Sequence, residues 1–323
     1  MQRRVSQMWA QILALGLVAV GSTAAAPPPI QGIPKDWSKE VVVVDAHRQG
    51  PLLWRVSRGD AEVWILPVVG PLPEKLAWDH SQLEELLAGA KKVVLLPRVE
   101  VGVFEGAWFL LTKRSSLELP NDAHLEDVLD APLKARFVAA REQLHRDADR
   151  YENLLPALAG MRLYGDFLKD AKLTADEPSD TLKDIAGDKD VPTEPIATYE
   201  ALPIVQDIGK MSDADSRACL SNALNDVDAE RLHQADVAKA WAVGDLAGMK
   251  RNYSESTILT CLLRVPSVAA LWEQSVVQMT ETVNGALAQG GRTVMVTSLG
   301  ALLRKGGILD RLRASGAKVE APE

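Results

Sequence analysis

The sequence is poor in the side chains from which many functional sites are built. Its 323 residues include five histidines and two cysteines. Basic residues are the minority among the charged ones, with 36 Lys and Arg against 44 Asp and Glu, so the formal net charge is −8. Nucleic acids are bound by basic faces, and this balance therefore argues against a nucleic-acid partner. Long apolar runs are also lacking. None after residue 26 approaches the ~20 residues of a membrane-spanning helix, which excludes a membrane span from the mature chain.

The first 26 residues have the composition of a secretory signal peptide. Arg3 and Arg4 form a basic start, residues 12–20 are apolar, and three alanines ending at Ala26 form a cleavage site. The alternative is a retained N-terminal anchor. We expect removal, which takes the net charge from −8 to −10 by loss of the two arginines, and a periplasmic or secreted protein. The proline-rich residues 27–50 are predicted to be a linker.

The two cysteines, Cys219 and Cys261, predict a disulfide in an exported chain. Each lies in a segment with helical periodicity, so the bond would join two helices. Closing a loop of this length would stabilise the fold by roughly 4 kcal/mol in the chain-entropy account. The alternative is two free, buried thiols.

Strand patterns occur near both ends of the mature chain. Residues 52–57 and 61–66 are strand-like around a glycine turn and predict a β-hairpin. Residues 78–90 predict a helix, because Ser81 and Glu84 have capping-box spacing and the leucines share one face. A buried strand over residues 93–96 follows. Strand, helix and strand in this order predict parallel pairing.

The last thirty residues predict a strand, a turn, a helix and a strand. The strand covers residues 293–297, and a polar-glycine turn covers residues 298–300. A helical stripe follows over residues 302–312, which Gly306-Gly307 weakens. Gly316 suits a helix end, and the residues after it are extended. This unit places a functional turn at the carboxyl edge of a sheet.

The section between these ends, residues 104–287, is predicted to be mainly helical. Helical periodicity covers residues 125–144, 151–169 and 218–241, whereas residues 174–191 are polar and predict a loop. The predicted fold class is therefore α/β, with a mixed central sheet. Its strands come from the N-terminal hairpin, the strand-helix-strand unit and the C-terminal strands, and a large helical section lies between them.

Short motifs recur along the mature chain: Leu72-Pro73, Trp241-Ala-Val-Gly-Asp-Leu246, Leu302, Gly307-Ile-Leu309, Leu312, Gly316, Val319 and Glu320. These motifs resemble the TraB/GumN family, which is related to the Tiki, erythromycin-esterase and ChaN-like proteins. The resemblance covers residues 51–321 and implies one domain whose ancestral activity is metal-dependent hydrolysis.

The same resemblance indicates that the chemical groups of the family are missing here. The family has histidines in two Gly-x-x-His turns and glutamates at two strand ends, and this chain has Gly70, Ala301, Leu96 and Ile196 there. These side chains cannot bind a metal or transfer a proton. We therefore expect no catalytic residues, no metal and no cofactor. The predicted role is that of a periplasmic binding or regulatory protein whose partner is an unknown protein or small ligand.

A hydrolase with a relocated site is the alternative function. Ser298 follows a strand, where a nucleophile could lie, but the Gly-x-Ser-x-Gly pattern is missing. Arg264 matches a family position and is a candidate for the cleft. His80 and Glu84 have the i, i+4 spacing of metal ligands, although a solvated helix face explains them as well. His233 stands alone among charged helical residues.

Overall fold

The computed structural model describes residues 37, 50–100, 117–253 and 256–322. The predicted signal segment and almost all of the predicted linker lie outside these residues, as do residues 104–116 of the predicted helical section.

The described strands are Trp54–Arg58 (β1), Ala61–Val68 (β2), Leu72–Pro73 (β3), Ala90–Leu95 (β4), Arg98–Glu100 (β5), Leu173–Thr174 (β6), Thr193–Pro195 (β7), Thr198–Glu200 (β8), Arg292–Ser298 (β9) and Lys318–Glu320 (β10). The described α-helices are Ser81–Leu87 (α1), Leu125–Val128 (α2), Ala131–Gln143 (α3), Pro156–Asp170 (α4), Ser179–Asp188 (α5), Ala201–Ile208 (α6), Asp213–Ala242 (α7), Leu246–Asn252 (α8), Thr257–Leu262 (α9), Pro266–Gln289 (α10), Leu299–Leu303 (α11) and Ile308–Ala314 (α12).

The main sheet has six strands in the order β10-β1-β2-β9-β4-β7. β1 is antiparallel to β10 and to β2, and it forms the predicted hairpin with β2. β9 is parallel to both β2 and β4, and β7 is parallel to β4. The predicted α/β fold with a mixed sheet is therefore confirmed.

The burial of β2 shows how its sequence suits the middle of this sheet. Residues from Ala61 to Trp64 alternate between buried and half-buried, whereas Ile65 to Val68 are all buried. Strands that helices cover on both faces have continuous apolar runs of this kind. β9 is buried from Thr293 to Thr297 for the same reason.

The two strands of the first strand-helix-strand unit run in the same direction, but the predicted pairing of β2 with β4 is wrong, because β9 lies between them. Its helix is also shorter than the predicted residues 78–90. The chain enters α1 through Asp79, whose carboxylate accepts the Ser81 N–H at 2.9 Å, so the capping box of Ser81 and Glu84 does not form. Ala90 already belongs to β4, where it pairs with β9.

The C-terminal unit differs from its prediction at two places. The prediction of a polar-glycine turn at residues 298–300 is wrong, since β9 ends at Ser298 and α11 begins at Leu299. The helical stripe is split into α11 and α12. A Cβ on Gly307 would lie 2.6 Å from the carbonyl oxygens of both Ala301 and Arg304, so the chain turns tightly there. Gly316 has a φ of +81° after α12, as its predicted place at a helix end requires.

The predicted loop over residues 174–191 is wrong, because it contains α5. Leu182, Ile185 and Ala186 are buried at helical spacing and pack in the main core. α5 contacts α1 and β4. These apolar residues are too sparse in a polar stretch to indicate a helix alone, and the packing surface of the sheet decides it.

Cys219 of α7 and Cys261 of α9 form the predicted disulfide, with their Cα atoms 5.4 Å apart. Both cysteines are buried in a small core with Ala157, Ile208 and Val265. The bond therefore joins two helices, as predicted. No helix within the described ranges has both the length and the hydropathy to cross a bilayer.

Candidate functional site

Four parallel strands end at the same edge of the main sheet. β2 ends at Val68, β4 at Leu95, β7 at Pro195 and β9 at Ser298. In α/β proteins ligands bind outside the carboxyl ends of parallel strands, at the point where neighbouring strands are not consecutive in the chain. The insertion of β9 between β2 and β4 creates such a point here.

The four positions predicted from the family motifs follow these strand ends directly. Ile196 donates its N–H to the Leu95 carbonyl at 3.0 Å, which places it beside Leu96. Leu96 and Ile196 are half-buried and pack against the main core. Ala301 is 3% exposed, and Gly70 is exposed. The fold thus brings Gly70, Leu96, Ile196 and Ala301 to one edge, and none of them carries a polar side-chain atom.

The end of β2 is held by a buried hydrogen bond from α7. Trp241 is fully buried and donates its indole N–H to the Pro67 carbonyl at 2.7 Å. Its ring also packs edge-on against Trp78 at 5.1 Å between centroids. Because Pro67 precedes Gly70 by three residues, this bond positions the loop that ends β2.

The rest of the Trp241-Ala-Val-Gly-Asp-Leu246 motif forms the turn between α7 and α8. Gly244 has a φ of +71°, and a Cβ there would approach the Gly50 carbonyl oxygen to 3.0 Å. Asp245 is the N-cap of α8 and accepts the Gly248 N–H at 2.8 Å. The motif residues that match the family are therefore structural.

Ser298 is used as a helix cap. Its hydroxyl accepts the Ala301 N–H at 3.1 Å, so it closes the first turn of α11. This bond satisfies one of the otherwise unpaired N–H groups at the start of the helix.

A small open pocket of about 20 Å³ lies beside Gly70. Its lining includes a stripe of α7 with Glu230, His233, Gln234 and Val237, together with Pro71, Asn252 and Tyr253. Tyr253 also links the pocket to the start of α11, because a Cβ on Gly300 would lie 2.9 Å from its hydroxyl oxygen. The pocket therefore adjoins the edge at which the four motif positions meet.

Glu230 is the electrostatically unusual group of this pocket. Burial raises the pKa of its carboxyl to about 8, and the negative charge of Asp226 one turn earlier adds to the rise. A hydrogen bond with the Tyr164 hydroxyl acts in the opposite direction. At neutral pH most Glu230 carboxyls are therefore protonated.

The carboxylate of Asp226 is hydrogen-bonded to the start of α9. It caps α9 and accepts hydrogen bonds from the Thr257 and Ile258 N–H groups and from the Ser256 and Thr257 hydroxyls, at 2.6 to 3.0 Å. The cap fixes Asp226 as a neighbouring negative charge behind Glu230. It also ties α9, and with it the disulfide, to α7.

A comparison with protein families assigns the chain. A family model described as the TraB/PrgY/gumN family matches residues 52–321. The chain belongs to the TraB/PrgY/gumN family. No curated protein and no solved structure matches it. The family resemblance predicted from the motifs is confirmed.

The residues at the edge do not fit the metal that the family resemblance implies. Gly70, Leu96, Ile196 and Ala301 offer no imidazole or carboxylate, which are the ligands that catalytic divalent metals require. Among the residues that the structure describes, no three His, Cys, Asp or Glu side chains are grouped so that they could hold a metal ion.

The other candidates from the sequence lie away from this pocket. Arg264 pairs with Asp215 at 2.8 Å near the first turn of α7, which is about five helical turns from His233. His80 pairs with Glu84 at 3.2 Å on the surface of α1. A binding role for Arg264 and Ser298 stays a prediction.

Sequence reasoning singled out His233 as an isolated histidine and missed the pocket that it forms with three other residues of α7. Glu230, His233, Gln234 and Val237 have the spacing i, i+3, i+4 and i+7, and that spacing alone marks one face of a helix. It could not show that the loop after β2 covers this face.

Proposed function

We propose that this member of the TraB/PrgY/gumN family is a non-catalytic binding or regulatory protein of the periplasm. It engages a protein or small ligand at the carboxyl edge of its sheet. The observation that carries the proposal is the convergence of Gly70, Leu96, Ile196 and Ala301 at that edge. Gly70 and Ala301 have no polar side-chain atom, and Leu96 and Ile196 are aliphatic, so these positions offer apolar surface but no group that could activate water.

Two features support export. Residues 1–26 have the basic start, the apolar segment and the small residues of a signal peptide. The disulfide between Cys219 and Cys261 is of a kind that persists in oxidising compartments. Fractionation of the native host, with detection of the mature chain in the periplasmic fraction, tests this part. Recovery of the unprocessed chain in the membrane would contradict it.

The metal content of the purified protein tests whether the metal-dependent hydrolysis implied for the family has been lost. The mature protein is purified without a histidine tag, exposed to zinc and manganese, dialysed, and measured by mass spectrometry. We expect no stoichiometric metal, and no hydrolysis of a peptide mixture. One tightly held ion per chain would overturn the proposal, because it would require ligands other than the four motif positions.

A hydrolase with a relocated site is the second candidate, and the side-by-side placement of Glu230 and His233 in the pocket favours it. A carboxyl group with a raised pKa beside an imidazole is an arrangement that acid–base catalysis can use. This candidate predicts peptide hydrolysis that Glu230→Gln abolishes and that Asp236→Asn, an exposed change on the same helix, preserves. A serine-reactive phosphonate tests the version that uses Ser298, since failure to label Ser298 removes it.

A further inference from the structure

We propose that the carboxyl edge of the sheet includes a binding site for the indole side chain of an extended peptide, and that this chain's own Trp37 occupies it. A partner that presents a tryptophan at the edge therefore competes with Trp37. This inference rests on the proposed binding role of the edge and names both the chemistry of its ligand and an internal competitor. We call the site, which is formed by Lys250, Tyr253 and Arg304, the indole site.

The indole site contacts both the ring and the backbone of Trp37. The ring packs edge-on against Tyr253, with 5.4 Å between the ring centroids and 70° between the planes. The Lys250 Nζ atom lies 5.4 Å from the Trp37 ring centroid, within the distance at which an aromatic face attracts an ammonium group. The backbone of Trp37 forms an antiparallel bridge with Arg304. Backbone pairing together with a site for one side chain is a way in which proteins bind extended peptides.

The indole site adjoins the edge at two places. Tyr253 also lines the pocket beside Gly70, and a Cβ on Gly300 would lie 2.9 Å from its hydroxyl oxygen. Arg304 is the C-cap of α11 and follows Ala301 by three residues, which is about one helical turn. An occupant of the indole site is therefore next to two of the four motif positions.

Trp37 belongs to the predicted linker, yet it is half-buried and packs against the main core. Its bridge with Arg304 is isolated and belongs to none of the described strands. The Trp37 indole N–H is buried and has no hydrogen-bond partner among the described residues, whereas the Trp241 indole N–H is paired with the Pro67 carbonyl. Docking of Trp37 therefore costs the hydrogen bond that its indole makes with water. The contacts select an indole but hold Trp37 weakly enough for exchange.

The covalent connection makes Trp37 an effective competitor. A tethered group acts at an effective concentration on the order of millimolar when its linker is short and flexible. The apparent affinity of a partner is its intrinsic affinity multiplied by the fraction of molecules whose site is empty. Occupation by Trp37 in about nine molecules of ten weakens partner binding about tenfold.

The test supplies the occupant as a separate molecule. A synthetic peptide with the sequence of residues 32–42, capped at both ends, is titrated into the mature protein and into its Trp37→Ala variant, and binding is followed by NMR. We expect 1:1 binding to Trp37→Ala that shifts the resonances of Tyr253 and Arg304, and at least tenfold weaker binding to the wild type. The same peptide with alanine in place of tryptophan should bind neither protein.

Two outcomes overturn the proposal. One is failure of the tryptophan peptide to bind a folded Trp37→Ala protein, and the other is equal binding to the variant and the wild type. A thermal melt shows whether the variant is folded. Trp37→Leu, which retains apolar volume against the core, carries the same expectations and replaces the alanine variant where that one does not fold.

Lysine variants test the cation of the indole site. In the Trp37→Ala protein, Lys250→Met keeps the aliphatic stem and removes the charge, so it should weaken peptide binding about threefold or more. Lys318→Met is the matched control and should leave binding unchanged. Lys318 is exposed and pairs with Ser57 near the start of β2, at the opposite edge of the sheet. Equal effects of the two lysine variants would contradict the assignment of Lys250 to the site.

Failure of this inference is distinguishable from failure of the proposed function. A bound metal ion or peptide hydrolysis would contradict the non-catalytic role and leave the competition between Trp37 and the peptide unaffected. Lack of peptide binding would remove the indole site and leave the non-catalytic role standing.

Discussion

Two carboxyl groups, Asp166 and Glu230, are withdrawn from bulk water, yet their pKa values shift in opposite directions. Burial would raise the pKa of Asp166, but hydrogen bonds from Arg150 and Tyr151 outweigh it and lower the pKa. Glu230 has no arginine partner in the described residues, and burial raises its pKa. The partner, more than the burial, decides the charge state.

The raised pKa of Glu230 predicts a pH-dependent stability difference. Its ordinary value is 4.5 and its folded value is about 8, so between these values the folded state holds a proton that the unfolded state has lost. The free energy of unfolding contributed by Glu230 is therefore constant below pH 4.5, falls as the pH rises to 8, and is lowest above it. Glu230→Gln removes this loss and should stabilise the protein at pH 9 relative to pH 4.5 by on the order of 4 kcal/mol.

Urea unfolding of wild type and variant at both pH values measures this difference. Asp236→Asn is the matched control, because its side chain is exposed on the same helix. An equal effect of Glu230→Gln at both pH values would mean that Glu230 titrates normally in the fold.

At the scale of elements, single side chains join the helical section to the sheet. Trp241 at the end of α7 is hydrogen-bonded to the end of β2. Asp226 caps α9, and the disulfide holds α9 against α7 at a second place. α7 is therefore the helix to which both the sheet edge and the disulfide region are attached.

Trp241→Phe tests the attachment of β2 to α7. The phenyl ring retains most of the packing, but the buried Pro67 carbonyl loses its donor, so we expect a loss of about 1–3 kcal/mol in the free energy of unfolding. Urea unfolding measures it. Trp272→Phe, at a half-buried ring that stacks with Arg304, is the control and should cost less. A loss at Trp241 no greater than that at Trp272 would show that the hydrogen bond to Pro67 contributes little.

At the scale of the whole molecule, the topology places four distant segments of the chain at one edge. Gly70, Leu96, Ile196 and Ala301 span more than two hundred residues of sequence, and the parallel strands β2, β4, β7 and β9 bring their carboxyl ends together. This arrangement follows from the strand order of the sheet and does not depend on which side chains occupy the four positions.

The combined variant Gly70→His, Leu96→Glu and Ala301→His therefore should restore a metal site. Two imidazoles and a carboxylate are a ligand set that zinc accepts, and we expect a gain from no stoichiometric metal to about one zinc per chain, measured by mass spectrometry after dialysis. The single variant Gly70→His is the control and should not hold zinc. Ala301 is buried, so a thermal melt of each variant must first show that it is folded. A folded triple variant without zinc would mean that these three positions do not converge as the sheet order indicates.

The sequence by itself determined the features that depend on local spacing and residue chemistry. The hairpin of β1 and β2, the strand β9, the helix end at Gly316 and the disulfide partners could all be predicted, because each is encoded within a few residues or by the presence of only two cysteines. The motifs were also sufficient for the family.

Only the tertiary structure decided the features that depend on distant contacts. β9 pairs with β2 on one side and with β4 on the other. α5 forms in a polar stretch because the sheet offers a packing surface for Leu182 and Ile185. α1 ends before the predicted residue because Ala90 pairs with β9. Glu230 acquires its raised pKa from burial and from Asp226. Hydrophobic burial and desolvation depend on which segments are in contact in the folded protein. The sequence periodicity of one segment does not specify which other segments it contacts.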